Sequence, residues 1–125
     1  MKEHRILLLI DPDAQTRKGF KEAINELGGI QLFIAEDGQE GLDILKGRHC
    51  DMVAIRRSAA VLDAFSFSVL MRQDERYKEV PLLVLYSEDS EPERDKLCDA
   101  GCSGCIKLPF STHDIKALLK EWLKL

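Results

Sequence analysis

Short apolar runs alternate five times along this chain with segments whose apolar residues recur at helical spacing, and no other feature restricts the fold as much. Residues 6–10 are apolar without a break, the pattern of a strand buried on both faces. Asp13 is a candidate helix N-cap. Phe20, Ala23, Ile24 and Leu27 follow at helical spacing until Gly28 and Gly29 stop the helix. A second strand over 30–35 leads through Asp37 and Gly38 into a short helix with Leu42, Ile44 and Leu45 inward. A third strand spans 52–55, and an apolar helix spans 65–72. The fourth strand covers 80–86, with Pro81 near its start, where a missing N–H is tolerated. Ser90 and Glu93 have the spacing of a capping box for a polar helix that ends near Gly101. The fifth strand covers 103–107. Ser111 and Asp114 then mark a last helix, striped by Ile115, Leu118, Leu119, Trp122 and Leu123.

Strands separated by helices cannot pair as hairpins. They run parallel, joined by right-handed crossovers. The expectation is an α/β fold: a doubly wound five-stranded parallel sheet, covered on both faces in three layers (α/β/α), with 1–125 as one domain. In such a sheet, ligand chemistry gathers at the carboxyl ends of the strands. Those ends are Asp11, Arg56, Tyr86 and residues 107–108.

Composition narrows the function. At 45% hydrophobic residues, 125 residues suffice for a real core. The net charge of −4 offers no basic surplus for nucleic-acid binding. No apolar run approaches the roughly 18 residues needed to span a bilayer, so a cytoplasmic protein is expected, and its four cysteines as free thiols.

Four local patterns are more specific together than apart. RILLLIDPDAQTR resembles the opening of a response-regulator receiver domain, including an arginine six residues after the first aspartate. AEDGQEGLDIL resembles that family's second turn and helix. The spacing from Asp51 through Arg56 to Asp63 matches its third strand and loop. DAGCSGCIKLPF resembles its last helix–strand–turn, with Gly101, Pro109 and Phe110. The element order alone would also fit other flavodoxin-like proteins. The set of patterns covers about residues 5–124.

The resemblance implies a phosphoryl-accepting pocket, and the pocket residues depart from it. A working receiver holds Mg²⁺ with an acidic pair after its first strand. Here Asp11 matches the first of the pair and Pro12 stands in the second place. The phosphoacceptor aspartate is replaced by Arg56, a permanent cation with no nucleophilic oxygen. Tyr86 stands where a small hydroxyl residue is expected, and Leu108 where a lysine is expected. Lys107 is one residue early, and one step along a strand reverses side-chain direction. Cys105 replaces the usual aromatic of the fifth strand. Shifting the third strand by one residue brings Arg57 or Ile55 to the site, and neither is acidic. Asp11 and Arg56 are expected to pair across adjacent strand ends; the alternative is an Arg56 that points into solvent.

The resemblance therefore implies a degenerate receiver that acts as a protein–protein interaction module in signal transduction. It is expected to be no enzyme and to hold no cofactor or metal. Its partners would be a histidine kinase or an output protein, with a homodimer also compatible, and with neither nucleic acid nor membrane as a ligand. Partners are expected on the face of the fourth helix, through Glu93, Arg94 and Lys96. The alternative keeps the fold but regulates it by a small ligand, by cysteine oxidation or by metal. Cys98, Cys102 and Cys105 spell C-x3-C-x2-C, a spacing that can hold an iron–sulfur cluster. Cys98 and Cys102 are instead expected to be buried as small hydrophobes. His4, His49 and His113 are expected on the surface.

Overall fold

The computed structural model describes residues 4–87, 91–108 and 111–125. Five strands, β1 (Arg5–Ile10), β2 (Ile30–Ala35), β3 (Met52–Arg56), β4 (Leu82–Tyr86) and β5 (Gly104–Lys107), form one parallel sheet in the order β2-β1-β3-β4-β5. Five helices alternate with them: α1 (Ala14–Leu27), α2 (Gly38–Leu45), α3 (Ala64–Met71), α4 (Arg94–Asp99) and α5 (Thr112–Leu123). This is the flavodoxin-like (βα)5 receiver fold expected from the alternation together with the local receiver-like patterns.

The apolar strands make two cores, one on each face of the sheet. Leu7, Leu9, Met52, Ala54, Leu83 and Leu85 pack under α1 and α5 with Phe20, Ile115 and Leu119. Leu8, Ile10, Val53, Ile55, Leu82 and Val84 pack under α2, α3 and α4 with Phe67, Met71 and Leu97. Alternate residues of one strand thus serve opposite layers, as the period of two requires. Chain direction across the sheet reverses between β1 and β3, which leaves a crevice beyond their carboxyl ends.

Helix ends follow their cap chemistry. Asp13 accepts from the Thr16 N–H at 3.0 Å and starts α1; Asp37 and Asp63 cap α2 and α3 in the same way. Ser111 and Asp114 form a reciprocal capping box at α5. Gly38 cannot carry a side chain, because a Cβ there would run into the Leu62 carbonyl.

Two element starts and one added turn are the larger departures from expectation. β4 begins at Leu82 rather than at residue 80, although the Pro81 carbonyl still accepts from the Val53 N–H at 2.9 Å. Pro has no N–H to continue the ladder on its other side. α4 starts at Arg94. Its N-cap is Glu93, at ψ 84° and without a side-chain cap bond, so Glu93 is not the third helical residue of a capping box. Ser90, Pro109 and Phe110 lie outside the described residues. A 3-10 turn over Glu75–Tyr77 was not expected. It buries Tyr77, whose hydroxyl donates to the carbonyls of Leu45 and Arg48.

Candidate functional site

Asp11 and Arg56 meet at the crevice between β1 and β3. Asp11 is fully buried, and each of its carboxylate oxygens has a partner. Oδ1 accepts from the Asp13 N–H at 2.9 Å, and Oδ2 accepts from Arg56 Nε at 3.0 Å. The Arg56 side chain is 22% exposed. Its Nη2 donates to Thr16 Oγ1 at 3.3 Å and lies 3.9 Å from Asp13 Oδ2. The Thr16 hydroxyl in turn donates to Asp13 Oδ2 at 2.9 Å. The guanidinium is therefore held by two residues of the α1 start and by the end of β1. An Arg56 pointing into solvent is excluded. The two Thr16 hydrogen bonds, helped by the Arg56 charge, hold the Asp13 carboxyl below its ordinary value. Arg17 closes the back of the site by donating to the Asp11 carbonyl at 2.7 Å.

Pro12 is exposed and brings no oxygen to Asp11 and Arg56. Leu108 is buried and lines a cleft of about 520 Å³ between α1 and α5, together with Thr16, Lys18, Arg56, Ser87 and Thr112. Lys107 is exposed on the last residue of β5, one step from Leu108. Asp13 and Glu22 also line the cleft, so its charge is mixed rather than positive.

Tyr86 closes β4 and is only 5% exposed. It shares strand parity with Leu82 and Val84, so it belongs to the face covered by α3 and α4, opposite to Arg56. Its hydroxyl accepts from Arg94 Nη2 at 2.8 Å, and the Arg94 guanidinium lies 5.5 Å from its ring centroid. Arg94 thus has an inward partner while the residue stays exposed. Lys96 lies 4.7 Å above the Phe65 ring and 3.8 Å from Glu93. The α4 charges expected as free docking groups are in part tied down within the chain.

The cysteines depart from expectation at one position. Cys102 is buried, but Cys98 is exposed and Cys105 half-buried. Leu97 takes the inward place on the short helix and leaves Cys98 beside it. Among the described residues, no group of three His, Cys, Asp or Glu side chains converges to hold a metal. His4, His49 and His113 are exposed, and His49 Nε2 sits 2.9 Å from Asp51 Oδ1. That pair was missed because Asp51 serves a second bond, accepting from the Ile6 N–H at 2.8 Å.

Comparison with known proteins gives one consistent result. No family model matches the chain. It is 26% identical over 94% of its length to the response regulator MprA of Mycolicibacterium vanbaalenii. It is also 26% identical over 96% of its length to part of the sensor histidine kinase CheAY of Helicobacter pylori. The chain spans 50% of the first protein and 15% of the second. Among solved structures, the chemotaxis response regulator CheY4 of Vibrio cholerae matches with TM-score 0.85 at 22% identity, covering 96% of this chain and 99% of that one. The receiver domain of the sensor histidine kinase PA1611 of Pseudomonas aeruginosa matches with TM-score 0.83 at 19% identity, covering 98% and 99%. That structure carries a magnesium ion coordinated in its active-site cleft. The structural matches establish the fold, and the sequence matches run through nearly the whole chain. On these grounds the chain has the fold of receiver domains and is similar in sequence to response regulators over nearly its whole length.

Proposed function

We propose that this chain is a degenerate receiver, one domain that serves two-component signalling by binding a protein partner and takes no phosphoryl group at the strand-end pocket of Asp11, Arg56 and Leu108, which Pro12 and Tyr86 do not enter. The observation that carries this reading is the 3.0 Å pair between Arg56 Nε and the buried Asp11 carboxylate. A receiver's acceptor must be a carboxylate oxygen free to attack phosphorus, and a guanidinium has none. Mg²⁺ needs a near-octahedral set of oxygens at short range. Asp11 is the one fully buried carboxylate among the described residues, and both of its oxygens are already engaged. The Arg56 cation occupies the neighbourhood where a second positive charge would have to sit, and like charges at that range repel strongly.

Two further positions support the same reading. The Tyr86 hydroxyl is engaged by Arg94, on the face away from Arg56. Leu108 lines the cleft with an apolar side chain where a lysine would meet a phosphoryl group. The interaction surface is then set by folding and does not await a signal. The partner is a signalling protein of the kind that receivers serve, a histidine kinase or an output protein.

Calorimetric titration with Mg²⁺ tests the site. The expected result is no saturable heat at millimolar metal. A submillimolar dissociation constant would mean that Asp13 leaves its cap to join Asp11, and the reading would fail.

A further inference from the structure

The cleft of about 520 Å³ between α1 and α5 opens beside Arg56, and the proposed signalling role makes no use of its volume. Sites for small molecules run from roughly 300 to 1,000 Å³, so the size suits a ligand of a few heavy atoms and upward. Leu108 and Ile115 give the cleft an apolar floor. The two helices come closest at Gly19, where a Cβ would sit 2.9 Å from Ile115 Cδ1. A wall is closed by Thr112 Oγ1, which donates to Glu22 Oε1 at 3.0 Å and ties α5 to α1.

Several polar groups of the lining are left without a protein partner. Arg56 commits Nε to Asp11 and Nη2 to Thr16. Its Nη1 has no hydrogen-bond partner among the described residues and is not buried, so its N–H groups open on the cleft that Arg56 lines. Lys18 lines the same cleft, is exposed, and enters no ion pair among the described residues. Glu22 uses one oxygen on Thr112 and keeps Oε2. Lys18 and Glu22 stand four residues apart on α1, a spacing at which opposite charges can pair, yet neither takes the other as a partner among the described residues.

The charges of the lining select the ligand. Arg56 is balanced by the buried Asp11. Lys18 then faces Asp13 and Glu22, one cation against two carboxylates. A simple anion would meet this negative surplus, and a simple cation would leave Arg56 Nη1 and Lys18 unmet. A zwitterion serves both signs. Its two charges must also lie well apart. Thr16, which holds Arg56, and Glu22 are six residues apart on α1, about 9 Å along the helix axis. An α-amino acid, with its charges on neighbouring atoms, is too short to join the two ends.

We propose that this cleft binds a small ω-amino acid. The carboxylate meets Arg56 Nη1 and Lys18, the methylene chain lies over Leu108 and Ile115, and the ammonium meets Glu22. The inference rests on the proposed reading in one respect, that no phosphoryl group occupies the Arg56 end. The two fail separately: a phosphoryl adduct at the strand ends would sink that reading whatever the cleft binds, and a cleft that binds nothing would sink this site alone.

The test is a titration of the purified chain with δ-aminovalerate, followed by backbone-amide NMR. The expected result is saturable shifts at Gly19, Glu22, Thr112 and Arg56 with a dissociation constant below about 10 mM. Three relatives of the probe separate its parts. Norvaline is the isomer with the ammonium on the α-carbon, valerate lacks the ammonium, and pentylamine lacks the carboxylate. Each should bind at least about tenfold more weakly. Lys18→Gln and Glu22→Gln change exposed side chains outside the Asp11–Arg56 pair, and each should weaken δ-aminovalerate by about tenfold, with the amide spectrum checking that the fold is kept. Norvaline, valerate or pentylamine binding as tightly as δ-aminovalerate, or either variant keeping full affinity, would overturn the assignment of two charged ends. No saturable shift below about 10 mM would overturn the site altogether.

Discussion

A buried carboxylate is tolerated only with a partner, and Asp11 depends on Arg56 for its charge balance. Burying both ions costs several kcal/mol, so the pair need not add net stability. Its removal from one side is another matter. Arg56→Ala would leave Asp11 buried beside a single N–H donor, and such a break costs about 3–5 kcal/mol. Urea denaturation of the variant at neutral pH should show a loss of that size. A loss under about 1 kcal/mol would mean that water already carries the Asp11 charge. The pairing itself was legible in the chain. Residues at the carboxyl ends of adjacent parallel strands face one crevice, and both identities are read directly. The hydrogen bond that the guanidinium donates to Thr16 and its approach to the Asp13 carboxylate were not legible, because side-chain conformations leave no periodic trace.

At the scale of elements, caps with a local signature were readable and those without one were not. Asp13 and the Ser111–Asp114 box behave as their spacing indicates. Asp13→Ala should destabilise α1 by about 0.5–2 kcal/mol at neutral pH. The sign of the pH dependence follows from its depressed carboxyl. The stabilisation is present above the ordinary value of 3.8 and is lost as pH falls through the lower folded value. The gap between parent and variant should therefore narrow as denaturation is repeated below pH 3.8, and a gap constant with pH would refute the charged cap. α4 was harder to read. Ser90 and Glu93 have capping-box spacing, yet the buried Pro92 and the non-helical Glu93 delay the helix to Arg94. A six-residue polar helix carries no apolar stripe, so the outward turn of Cys98 had no signal in the sequence. The three-residue turn at Tyr77 is likewise too short to show a period.

The molecule as a whole has the sheet and both cores of the receiver fold, and on the proposed reading Pro12, Arg56 and Leu108 depart from the family's pocket chemistry. The fold was legible because alternating apolar runs are buried on both faces, and that constraint is spread over the whole chain. The proposed departure rests on single residues, so it was visible as identities while its consequences needed geometry. Arg56 is tied to α1, and Arg94 ties Tyr86 to α4. Restoring the acceptor alone should not revive the switch: Arg56→Asp still lacks the second acidic ligand and the lysine. The most direct measurement is intact mass of the folded chain after incubation with acetyl phosphate and Mg²⁺, for the parent and for Arg56→Asp. Both should remain unmodified. A gain of about 80 Da, one phosphoryl group, mapped to the strand-end pocket of the parent would contradict the proposed loss of phosphorylation.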